Sequence, residues 1–154
     1  MADLFENPLG TNGFEFVEYT GQPELLDKLF RDFGFTPIAR HKKRDVVLYR
    51  QGGVNFLLNR EATGQPGEFQ KVHTAGASAM AFRVKDAKTA HKDALKRGAE
   101  DAASHHGSMN DDIPAIKGIG GCVIYFIDNP DGYVGDFEPL PGVDQNPKGV
   151  GFTY

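Results

Sequence analysis

Along the chain, apolar and polar positions change period several times, and each change marks an element. Phe14 to Tyr19 alternates strictly, with Phe14, Phe16 and Glu18 on one face and Glu15, Val17 and Tyr19 on the other, the pattern of a β-strand. Thr20-Gly21-Gln22 breaks it, and Pro23 suits a first helical turn. Leu25, Leu26, Leu29, Phe30 and Phe33 then recur at helical spacing, with Gly34 placed to end the helix. Three short strands are predicted at Thr36–His41, Asp45–Arg50 and Val54–Asn59, the last two joined by a hairpin turn at Gln51-Gly52-Gly53.

Arg60 to Ala75 is polar and reads as a connection with a short helix around Phe69. The order of elements then starts again. Ser78–Val84 is a strand, and Asp86 caps a helix through Ala87, Ala90, Ala94 and Leu95 that Gly98 ends. Asp101 to Asp112 reads as a weak strand and a polar loop. The longest apolar run, Cys122 to Ile127, follows Gly118, Gly120 and Gly121 and is closed by Asp128-Asn-Pro-Asp-Gly132, which predicts a buried strand. Those glycines lead into a strand and not out of one, so they do not form a phosphate loop. A bulge or a close backbone approach is their expected role. Tyr133–Leu140 is predicted to return as a hairpin strand, and Gly142–Gly151 is a Pro/Gly-rich tail.

Both halves thus read strand, helix, strand, strand, strand, with Phe14 and Ala79 as equivalent starts. The expected architecture is α+β: two βαβββ modules, about 13–60 and 77–140, forming one curved eight-stranded mixed sheet with helices outside. The chain, 1–154, is expected to be a single domain with its tail at 141–154.

The 154 residues and 40% hydrophobic content suffice for a core. A net charge of −4 offers no basic face for nucleic acid. The basic run Arg40–Arg44 is short and is expected to be a solvated turn. One cysteine excludes an internal disulfide and fits a reducing compartment. The N-terminus lacks signal-peptide character and no apolar stretch reaches membrane-spanning length, so a cytoplasmic protein without membrane contacts is expected.

Candidate chemistry is sparse. His105 and His106 with Met109, Asp111 and Asp112 resemble a metal cluster, but adjacent histidines on extended chain point opposite ways, and an exposed loop is expected. His41 and His73 are expected on the surface and His91 half buried. Cys122 opens a buried strand and is expected to pack there.

Several segments together are similar to bacterial 4-hydroxyphenylpyruvate dioxygenases. They are Asn7–Tyr19, Leu48-Tyr-Arg-Gln-Gly with Asn55-Phe-Leu-Leu-Asn, Ala79–Asp86, and Pro114-Ala-Ile-Lys-Gly-Ile-Gly-Gly121 with Tyr125 and Asp128. The resemblance implies the vicinal-oxygen-chelate (glyoxalase-like) fold. It also implies that this chain is the N-terminal domain of an oxidoreductase of tyrosine breakdown, which turns 4-hydroxyphenylpyruvate and O₂ into homogentisate and CO₂. In that family Fe(II) is held by two His and one Glu of the second domain, and the present chain stops where the strand bearing the first ligand would begin. Carried onto this chain, the ligand positions fall on Phe14, Ala79 and Glu138, with Glu18 the nearest substitute. The implied chain has no cofactor and no catalytic or metal site of its own, Glu138 being vestigial. Its implied partners are the catalytic C-terminal domain and further copies of itself. A free-standing glyoxalase-like protein that binds an apolar small molecule without metal is the other expectation this size of cup allows.

Overall fold

In a computed structural model the described residues are 6–102, 107–110 and 112–152. The first half runs β1 (Thr11–Thr20), α1 (Pro23–Asp32), β2 (Thr36–His41), β3 (Val46–Gln51) and β4 (Val54–Asn59). A ten-residue helix, α2 (Gly64–His73), takes the place of the connection with a short helix expected there. The second half runs β5 (Gly76–Val84), α3 (Ala87–Lys96), β6 (Ala115–Lys117), β7 (Val123–Ile127), α4 (Pro130–Val134) and β8 (Phe137–Pro139).

All eight strands join one mixed sheet in the order β6-β7-β5-β1-β4-β3-β2-β8. β1 and β5 lie antiparallel at its centre and join the halves. Each is flanked by a parallel partner, β4 and β7 respectively, that is reached through a helix. The repeat is therefore real in space, and β7 is the counterpart of β4. Helix ends follow the local chemistry: Pro23 opens α1, and the Asp86 carboxylate accepts from Thr89 N at 2.7 Å to cap α3.

Three expectations need correction. Tyr133–Leu140 does not return as a hairpin strand beside β7. Pro130, with its φ preset for a first helical turn, starts α4 instead, and Tyr133 is buried on it. The strand that follows is only three residues long and crosses to pair with β2. The described residues of Asp101–Asp112 contribute no strand either, only one bridge from Asp101 to Ile116. Finally, Ile119–Gly121 form a 3₁₀ turn and no bulge, while the close approach expected as the alternative is met at Gly118, where a β-carbon would clash with Cys122 Sγ.

That turn requires glycine. Gly120 and Gly121 have φ of 65° and 83°, in the left-handed region that a β-carbon disfavours. No heavy atom lies within 4 Å of where a Gly121 β-carbon would be, so strain there is purely of the backbone. Gly121→Val is expected to destabilise the chain by about 1–3 kcal/mol, and Gly121→Asn by less, in urea unfolding followed by circular dichroism. Equal midpoints for wild type and the valine variant would show that the turn does not need the glycine.

Candidate functional site

The concave face of the sheet gathers Phe16, Leu48, Leu57, Ala79, Ala81, Val123, Tyr125 and Ile127. Alternation along β1 is interrupted. Phe14 pairs with Phe82 while Phe16 pairs with Ala81, so two steps on β1 answer one on β5, a β-bulge at Glu15. The bulge reverses the facing of everything before it. Phe14 turns to the outer side, stacks on Phe82 at 4.7 Å between ring centroids and is 52% exposed. Glu15 turns inward.

Two buried carboxylates consequently sit inside the cup, each within its own hydrogen-bonded group. Glu18, fully buried opposite Ala79, accepts from Asn59 Nδ2 at 2.8 Å and from the Ser108 hydroxyl and backbone N–H. Next to it Gly107 N–H donates to the Tyr125 hydroxyl oxygen at 2.7 Å, and Arg44 Nη1 donates to Gly107 O. Glu15 accepts from the Tyr133 hydroxyl at 2.7 Å and from Arg83 Nε, and Asn55 Nδ2 donates to its carbonyl at 3.1 Å.

Burial, stronger than the stabilising hydrogen bonds from Ser108 and Asn59 and the charge of Arg44, holds the Glu18 carboxyl above the ordinary carboxylate range. Burial pushes up the Tyr125 phenol, helped by Glu18, and the Tyr133 phenol, helped by Glu15. Neither phenol supplies a phenolate near neutrality. These hydrogen bonds fix the side chains in place.

The interior is occupied by protein. Tyr125, Tyr133, Phe16 and Met109 all pack there with almost no exposure. One cavity of about 240 Å³ lies between the start of α3 and α4 near Asn110, Asp128 and Tyr133. A shallow groove of about 400 Å³ runs on the outside past Arg83 and Lys85.

The three carried positions do not converge. Phe14 is outside, Ala79 is buried in the cup, and Glu138 is exposed, because on β8 it is Phe137 that turns inward. Glu138 points away from the cup. The strand equivalent to the end of the second repeat is β7, whose cup-facing residues are Val123, Tyr125 and Ile127. Among the described residues the donors that meet are Glu18 and Tyr125, with no histidine beside them, and that pair does not fit an iron site of two His and one carboxylate. Among the described residues no group of three or more His, Cys, Asp or Glu side chains could hold a metal ion.

Of the other candidates, His105, His106 and Asp111 lie outside the described residues. The adjoining Ser108 and Met109 are not an exposed loop; both are buried, drawn in by the donors Glu18 needs. His41 is buried, not on the surface. It lies edge-on to Phe137, its Nδ1 accepts from Lys43 and Arg44 N–H, and burial lowers its pKa. Its turn is more than solvated chain, since Arg44 reaches into the Glu18 group. His73 is exposed with Nε2 2.7 Å from Gly120 O, and His91 is half buried beside Asp101. Cys122 is buried, which raises its thiol pKa and leaves it a packing residue. Sequence reasoning missed Glu15, Asn59, Ser108 and Tyr133, and a bulge leaves no signal in the alternation that would have revealed Glu15.

Two strand–helix–strand repeats joined through antiparallel first strands into one eight-stranded cup define the vicinal-oxygen-chelate class of folds. A family model described as hydroxyphenylpyruvate dioxygenase, N-terminal, matches residues 5–138, and the chain belongs to that family. It is 45% identical over 155 residues to the 4-hydroxyphenylpyruvate dioxygenase of Pseudomonas sp. (strain P.J. 874), covering 97% of this chain and 43% of the relative. It is 48% identical over 132 residues to hemolysin VllY of Vibrio vulnificus (strain CMCP6), covering 83% and 37%. A solved xylose isomerase-like TIM barrel/4-hydroxyphenylpyruvate dioxygenase fusion protein superposes with a TM-score of 0.77 at 27% identity, over 92% of this chain and 24% of that one. The chain thus spans less than half the length of the curated relatives it matches.

Glu18→Gln tests the electrostatics. A carboxyl raised in the folded state contributes stability that is full below the ordinary carboxylate range and is lost as the pH rises through its raised value. Melting temperatures of the variant relative to wild type are expected to climb as the pH rises above the ordinary carboxylate range. A difference independent of pH would mean that Glu18 titrates alike folded and unfolded.

Proposed function

We propose that this chain is the non-catalytic N-terminal domain of a bacterial, cytoplasmic 4-hydroxyphenylpyruvate dioxygenase acting in tyrosine breakdown. Its work is structural: it packs against the iron-binding C-terminal domain and contributes contacts between subunits. Residues 1–154 fold as one domain made of two modules, and Fe(II) and the conversion of 4-hydroxyphenylpyruvate to homogentisate belong to the other domain. The observation that carries this reading is the interior of the cup. Where a metal and its keto acid would need open coordination positions, there are Glu18 saturated by Asn59 and Ser108 and the rings of Tyr125 and Tyr133. The same packing disfavours a small ligand in the cup. Family membership over residues 5–138 and relatives of more than twice the length supply the partner domain. Among the described residues no helix is long and apolar enough to cross a membrane.

The test is iron and turnover. The purified chain, incubated with Fe(II), ascorbate and air, is expected to retain far less than one iron per chain and to leave 4-hydroxyphenylpyruvate unchanged. Stoichiometric iron by mass spectrometry, or homogentisate by chromatography, would overturn the assignment.

A further inference from the structure

Helix α1 carries a wider apolar arc than the sheet covers. Leu26 and Phe30 are buried, but Leu25, Leu29 and Phe33, repeating every fourth residue along one stripe, are 56%, 42% and 51% exposed. An ion pair between Lys28 and Asp32 borders the stripe on its polar side. The stripe is extended by the tail, for the Phe152 ring stands edge-on to Phe33 at 6.4 Å and Val150 abuts Gly34. Val150 and Phe152 are exposed as well. Among the described residues the other exposed large apolar side chains are Phe14 on β1, Val72 on α2 and Ile119 in the 3₁₀ turn. One continuous apolar patch of this kind marks an interaction site.

The tail is held there by design of the chain, not by chance contact. The fully buried Gln51 donates through Nε2 to Phe33 O at 2.8 Å, and its Oε1 accepts from the N–H groups of Val150 at 2.7 Å and Phe152 at 3.3 Å. Gly149 passes so close that a β-carbon would stand 2.5 Å from both Gln51 Oε1 and Gly34 O. Upstream, Gly52 N–H donates to Pro147 O and Arg50 Nη1 to Gln145 O. One amide side chain thus couples the last turn of α1 to residues 150–152 and fixes where the backbone points as it leaves the cup.

We infer that the stripe Leu25–Leu29–Phe33, with Val150 and Phe152, is the surface on which the C-terminal domain of the family's longer members docks, and that Gln51 sets the geometry of that docking. The inference rests on the proposed domain partnership. Its occupant follows from chain continuity: in relatives of which this chain covers 43%, the polypeptide goes on beyond the position of Phe152. It emerges already in contact with the patch. An interdomain contact of about 600–1,500 Å² needs a few apolar anchors within a polar border, and α1 offers them along about 12 Å of helix.

The experiment joins this chain after Tyr154 to the C-terminal remainder of the Pseudomonas sp. relative and compares hydrogen exchange in the fusion and in the isolated chain. Amides of residues 25–33 and 148–152 are expected to exchange at least about tenfold more slowly in the fusion. Leu25→Glu with Leu29→Glu is expected to abolish that protection and to lower the melting temperature of the fusion by several degrees while leaving the isolated chain unchanged. Gln51→Ala, which keeps the stripe, is expected to weaken protection in part. Protection on another face with none on α1 would overturn the surface and leave the partnership standing. No protection anywhere in a fusion with homogentisate-forming activity would overturn the partnership itself. Sedimentation supplies the remaining arm: a dimer of the isolated chain dissolved by the double variant, with α1 unprotected in the fusion, would assign the stripe to a second copy instead.

Discussion

The antiparallel seam of β1 and β5 is the constraint from which the rest follows. There the first strands of the two repeats hydrogen-bond to each other, and the register decides which side chains enter the cup. A shift of one residue in a strand exchanges its two faces. Here the shift occurs within the seam, at Glu15, so one strand presents Phe14 outward and Glu15, Phe16 and Glu18 inward. A second irregularity, between Glu18 and Tyr19, brings Ser78 inward from β5, where its carbonyl accepts from Gln65 of α2.

Carboxylates inside a filled cup are costly unless their acceptor capacity is met, and the surrounding chain is arranged to meet it. Glu18 draws Asn59 from the end of β4 and Ser108 from the loop before β6. Glu15 draws Tyr133 from α4 and Arg83 from β5. Segments remote in sequence are thereby tied to one strand. Deleting a partner would strand a buried acceptor. The effect of these pairs is on uniqueness: they specify which loop fills the cup and in what position.

Much of this was legible in the residues. Alternation in Phe14–Tyr19, the Pro23 and Asp86 helix starts and the doubled order of elements lead directly to the repeat and the outer helices. What stayed hidden was set by long-range contacts. Tyr133 has strong β-propensity, yet Pro130 and a hydrogen bond to Glu15 place it on a helix. Leu25, Leu29 and Phe33 share the spacing of the buried Leu26 and Phe30, and no local pattern tells covered apolar positions from uncovered ones. Residue-by-residue transfer of ligand positions failed at Glu138 for the same reason, since it presumed the strand after Asp128 to be the counterpart of β4.

The path of β8 gives the repeat an asymmetry with a mechanical meaning. Having completed its own three strands at Ile127, the second half sends Phe137–Pro139 across the mouth of the cup to the far edge strand of the first. The halves are therefore laced together and not merely set side by side. Cut between α2 and β5, each would lack something the other carries: the first half its outer edge partner, the second its seam. Such a pair of modules can diverge in sequence but cannot be exchanged one at a time, as beads on a string could be.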